Sequence, residues 1–164
     1  GHRIDVSISR TEIDDELLQS MPLWSDPVVV ALPKQHALAQ RTHLALSELA
    51  DDAFVVLRQE TSGFARTLAQ ACAQAGVALR AAQTVAEVPA QLALVEAGLG
   101  VALVPRSTCG HFGDRIATCA LSADLMHGMV YAVTRKQGTR RALDPFLRAA
   151  AEIGQETHPP RDDR

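Results

Sequence analysis

The run Val28-Val29-Val30-Ala31-Leu32, closed by Pro33, is the feature that most restricts what this chain can become. Consecutive apolar residues with no polar alternation demand a strand covered on both faces, as in a parallel sheet. Phe54-Val55-Val56-Leu57 makes the same demand, and Val101 to Val104 reads as a further buried strand. Ile4, Val6 and Ile8 alternate with Asp5, Ser7 and Ser9, the period-two mark of a strand with one wet face. Ala82 to Val85, Ile116 to Leu121 and Gly128 to Arg135 complete the strand set, the last with Met129, Tyr131 and Val133 in alternation.

Helical spacing fills the intervals. Phe64 to Ala75 carries Leu68, Cys72 and Ala75 on one face, with Gly76 as its stop. Glu87 to Ala97 repeats the pattern, with Pro89 in the first turn and Gly98 at the end. Short helical turns are expected at residues 47–50 and within 105–112. An amphipathic helix is expected from Thr139 to Ile153, with Leu143, Phe146, Leu147 and Ala150 on one side, and a polar, disordered tail from 155 to 164. Strands alternating with helices predict an α/β fold with parallel or mixed sheets. A strand opening near residue 4, with nothing before it to cap or pair it, predicts that a longer protein supplies residues upstream.

Composition narrows the function. With 164 residues and 47% hydrophobic content, the chain has material for a real core. A net charge of −3 leaves no basic excess for a phosphate backbone, which argues against nucleic-acid binding by this segment. Cys72, Cys109 and Cys119 are sparse and odd in number, so they read as reduced thiols. No apolar run approaches a membrane span and the amino terminus lacks a signal-peptide core, so a cytoplasmic location with no membrane partner is expected.

Sites for chemistry are scarce. Gly98-Leu99-Gly100 runs from helix to strand, the reverse of a dinucleotide loop, and reads as a helix stop and tight turn. Cys109, His111 and Cys119 lack the paired spacing of a structural zinc site, so no metal or cofactor is expected. No serine sits in a nucleophile elbow, and the pairs Asp14-Asp15 and Asp51-Asp52 read as turn or capping residues. An enzyme is not expected. One loop has binding potential: Arg58-Gln59-Glu60-Thr61-Ser62-Gly63-Phe64 joins a buried strand to a helix start. Thr61 or Ser62 would cap that helix, and its unpaired first-turn amides favour a carboxylate or phosphate. Plain capping explains the same residues.

The segment Leu92-Ala93-Leu94-Val95-Glu96-Ala97-Gly98-Leu99-Gly100-Val101-Ala102-Leu103-Val104-Pro105, followed by Ser107, resembles the L-x-L-V-x-x-G-x-G-x-x-L-V-P pattern of LysR-type transcription regulators. Val30 to Ala39 is similar to the family's strand ending in H-P-L-A, with Ala37 in place of the usual proline. Leu46-Ser47-Glu48-Leu49 with Phe54 to Leu57 is similar to its D-L-x-x-x-x-x-V-L stretch. The resemblance runs from about residue 4 to 153.

That resemblance implies a type 2 periplasmic-binding-protein-like fold, two Rossmann-like subdomains with a ligand cleft. Residues 1–26 and 128–154 would form an incomplete subdomain I, and residues 27–127 a whole subdomain II. The family's winged helix-turn-helix, linker helix and first half of subdomain I would lie outside this chain, so DNA would be reached only through the missing module. A small effector, often a carboxylate, would bind in the cleft and shift the subdomains, and the parent would act as a homo-oligomer. Matching effector positions are Arg10, Arg58, Thr61, Ser62, Phe64, Val88 and Val130. Arg10 and Arg58 read equally as solvated charges, and Phe64, Val88 and Val130 as ordinary core. A transporter's solute-binding protein is the alternative on the same fold.

Overall fold

In the computed structural model, residues 6–10, 12–126 and 128–136 are described. The helix expected from Thr139 to Ile153 and the polar tail fall outside them. Among the described residues, nine strands and two α-helices appear in the order β1 (Ser7–Ser9), β2 (Leu18–Ser25), β3 (Val28–Pro33), β4 (His43–Leu44), β5 (Phe54–Leu57), α1 (Gly63–Gln74), β6 (Ala81–Val85), α2 (Val88–Glu96), β7 (Ala102–Pro105), β8 (Ile116–Leu121) and β9 (Met129–Arg135). Three 3-10 turns, Leu46–Leu49, Arg106–Cys109 and Gly113–Arg115, join them. Arg106–Cys109 lies within the stretch 105–112 expected to form a short helix, and Gly113–Arg115 follows it. Chain contacts divide the molecule into two units, residues 1–26 with 128–164, and residues 27–127.

In the first unit β9 lies between β1 and β2, antiparallel to both. Ser25 pairs with Met129, and the Asp26 amide bonds to the Gly128 carbonyl, so the chain leaves this unit and returns to it at adjacent points. Strand β2 has Pro22 and Gln19 in place of clean alternation, and a bulge between Pro22 and Trp24, which is why periodicity did not mark it. Leu23 and Ala132 form a small core with Val6 and Trp24 packed against it. The Asp26 carboxylate is buried and holds Arg10 Nη2 at 2.7 Å.

In the second unit four strands run in the order β4-β8-β3-β7, and β5 pairs with β6. A bridge from Phe54 to Val101, with the Val55 amide on the Val101 carbonyl at 2.9 Å, couples the pair to the amino end of β7. Strand β3 is antiparallel to both β7 and β8, which corrects the parallel setting read from its unbroken apolar run. Such a run reports burial on two faces, not the direction of its neighbours. Val28, Val30 and Leu32 point into one cluster, with Phe54, Leu68 and Cys72; Val29 and Ala31 point into another, with Leu92, Val95 and Val104. The parallel pairs are β4 with β8 and β5 with β6.

Glycine matters at two turns. Gly98, with φ of +82°, ends α2 in the left-handed conformation a side chain resists. Two residues on, a Cβ at Gly100 would stand 2.7 Å from the Ala53 carbonyl oxygen, so the glycine lets β5 and β7 approach.

Candidate functional site

Strands β5 and β6 are parallel, with Leu57 opposite Val85, and each runs directly into a helix. Helix α1 begins six residues after Leu57 and α2 three after Val85, so both helix N-termini open at the same edge of the second unit. The Arg58 amide bonds to the Val85 carbonyl at 2.8 Å, which ties the two strand ends together. Two helix N-termini on the carboxyl edge of parallel strands concentrate positive partial charge. Neither helix carries an acidic residue in its first turn.

Ser62 is the N-cap of α1: its Oγ accepts the Ala65 amide at 3.1 Å. Of the two capping candidates, Thr61 is the one outside, exposed in the loop. Arg66 Nη1 donates to the Gln59 carbonyl at 2.6 Å, a reach back from the first turn that fixes the loop. Arg58 is exposed at the same edge, as are the carboxylates of Glu60 and Glu87. Phe64 is half-buried against the first cluster and Val88, the first residue of α2, packs against the second.

The structure thus brings Arg58, Thr61, Ser62, Phe64 and Val88 to one region of the second unit. Arg10 and Val130 belong to the first unit. Arg10 is engaged by the buried Asp26, and Val130 is 2% exposed on β9. Cys109 and Cys119 lie in clusters on opposite faces of the four-stranded sheet. Burial pushes the Cys119 and Cys72 thiols up, which keeps both protonated at neutral pH.

Gln91 is the polar residue that sequence reading passed over. It is 2% exposed, and its Nε2 donates to the Val55 carbonyl at 2.8 Å, linking α2 to β5. Its spacing from Val88 and Val95 put it on the buried face of α2, a signal present in the sequence.

The effector-binding domain of QuiR in complex with shikimate superposes with a TM-score of 0.73 at 19% identity, covering 94% of this chain and 73% of that one. The BenM effector-binding domain with its effector benzoate gives 0.79 at 20% identity, covering 93% and 70%. This is the type 2 periplasmic-binding-protein-like fold of LysR effector-binding domains. The LysR substrate binding domain model matches residues 1–154, and the chain belongs to that family.

Among relatives, the HTH-type transcriptional regulator CatR of Pseudomonas putida is 35% identical over 106 residues, 64% of this chain and 36% of CatR. ShiR of Corynebacterium glutamicum is 33% identical over 106 residues, again 64% and 36%. The chain spans about a third of the length of such relatives. Both relatives are transcriptional regulators. Among the described residues no helix is long and apolar enough to cross a membrane.

Proposed function

We propose that this effector-binding domain senses a small carboxylate-bearing molecule, held at the shared edge where α1 and α2 begin, and binds it without transforming it. The observation that carries the reading is the pairing of two helix N-termini beside the Arg58 to Ser62 loop. Amides aimed by a fixed helix stabilise an anion with little reorganisation, and Arg58 adds positive charge. Thr61 supplies a hydroxyl, while Phe64 and Val88 offer apolar contact to the rest of the molecule. Arg10, already committed to a buried carboxylate, and Val130, a core residue, belong to the framework in this proposal. The benzoate and shikimate of the BenM and QuiR structures are both small carboxylates, which supports the class.

In the parent protein, effector binding would bias a conformational equilibrium and modulate transcription through a DNA-binding part outside the matched region. A cytoplasmic setting fits such a role. Exposed Ile8, Leu17 and Met21 support self-association of the first unit, readable by sedimentation.

The test is calorimetric titration with a panel of small carboxylates and their neutral amides. The reading predicts binding of at least one acid, about tenfold or more over its amide, and a comparable loss in Arg58→Ala with Thr61→Ala. Equal affinity for acid and amide, or no effect of the double substitution, would contradict it.

A further inference from the structure

A cavity of about 250 Å³ lies inside the second unit, between the inner face of α1 and strands β5 and β6. It owes its existence to the sequence of α1: Ala65, Ala69 and Ala73 recur at four-residue intervals on the lining face, where larger side chains would close the gap. Phe54, Phe64, Leu68 and Leu103 make most of the remaining wall apolar, and the exposed Gln59, Ala73 and Ala81 stand where it meets solvent.

Into this wall comes Gln91, 2% exposed. Only its NH₂ group can donate to the Val55 carbonyl, so that 2.8 Å bond fixes which way the amide faces. The Oε1 that results is buried and has no hydrogen-bond partner. A buried acceptor left unpaired in apolar surroundings is costly, and a ligand that donates to it recovers that cost.

We propose that this cavity is a second binding site, for a compact, neutral, mostly apolar molecule with one hydrogen-bond donor, such as a phenol or an indole. Size agrees with the class: a cavity of ~150 Å³ suffices for benzene, so this one has room for one substituted ring. A carboxylate is disfavoured in the depth of the cavity, because no charged side chain lines its wall to offset the loss of water. Occupants of this site and of the helix-terminal edge are therefore chemically distinct. The donor is directed at Gln91 Oε1, which lies just behind the wall and comes within reach by a small shift of that side chain; the ring packs against the α1 alanines, and binding fastens α1 to β5 and α2.

The experiment is NMR titration of the whole chain with phenol, toluene and benzoate, with alanine methyl groups observed. Phenol is expected to saturate, to move the methyl resonances of Ala65, Ala69 and Ala73, and to bind about tenfold more tightly than toluene. Ala69→Leu, which fills the space, is expected to abolish phenol binding and leave any benzoate response intact. Gln91→Met is expected to bring the phenol-to-toluene ratio close to one. Should Ala69→Leu fail to fold, the methyl map and the ligand ratio in the unsubstituted chain still decide. The proposal is overturned by phenol that does not saturate or does not move those methyl groups, by phenol binding that persists in folded Ala69→Leu, or by equal affinity for phenol and toluene.

Discussion

At the level of single residues, the strongest constraints come from close backbone approach and from buried charge. Gly100 is one, since any side chain there meets the Ala53 carbonyl, a backbone atom that cannot swing aside. Gly100→Ala is expected to cost about 2 kcal/mol or more, read as a lower midpoint in urea unfolding. Asp26 is another: its carboxylate is 1% exposed and rests on Arg10, itself a third exposed. Arg10→Ala leaves that charge buried, at an expected cost of about 2–3 kcal/mol after allowance for solvent at the arginine. Asp26→Asn in the same chain should recover part of the loss. If Arg10→Ala is neutral in thermal unfolding, the pair is not structural. Sequence showed Arg10 at the end of a strand but gave no hint of Asp26 as its partner, because the two meet only through the fold of the first unit.

At the level of elements, local polar contacts set where turns and helices begin. The Glu48 carboxylate accepts the Ala45 amide at 2.8 Å and an Arg41 Nη1 bond at 3.0 Å. The backbone bond first and the arginine second hold its pKa below the usual carboxylate range. Asp15 is lowered in the same way, by amide bonds from Leu17 and Leu18. A carboxylate whose folded pKa is depressed contributes above its unfolded value, near 4.3 for Glu and 3.9 for Asp, and loses that contribution as the pH falls further.

Stability should therefore hold steady from neutrality to about pH 5 and decline below it. Glu48→Gln should flatten part of the decline in an acid unfolding series; an unchanged slope would remove Glu48 as its source. At α1, Ser62→Ala forfeits the cap at an expected cost of about 1 kcal/mol, measurable by denaturant titration.

Elements were legible wherever the sequence carried period or punctuation: α1, α2, β3, β5, β7, β8 and β9 fall within a residue or two of expectation. β2 escaped because a bulge and Pro22 break its alternation, and β4 because two residues, His43 and Leu44, leave no period to read. The partners of β3 escaped for a different reason: burial is written in composition, strand direction is not. For the candidate site, the cap and loop were legible in Thr61 and Ser62. The register that sets α2 beside α1 exists only once β5 and β6 pair.

For the whole molecule, the decisive feature is that residues 27–127 leave the first unit after Asp26 and return at Gly128, two neighbouring points on paired strands. Both large apolar clusters lie within that span. A unit with its own core, entered and left at one place, is expected to fold when excised, with a single cooperative transition. Broad, non-cooperative melting of 27–127 alone would show that it depends on the remainder.

The central claim is that the carboxyl edge of β5 and β6, where α1 and α2 begin, holds a small carboxylate. Amide-resolved NMR titration of the chain with benzoate and with shikimate tests it most directly. The account predicts saturable shifts concentrated at residues 58–65 and 86–91 for at least one of the two acids, and none with its amide. Saturable shifts centred elsewhere, or the same shifts produced by the neutral amide, would contradict it.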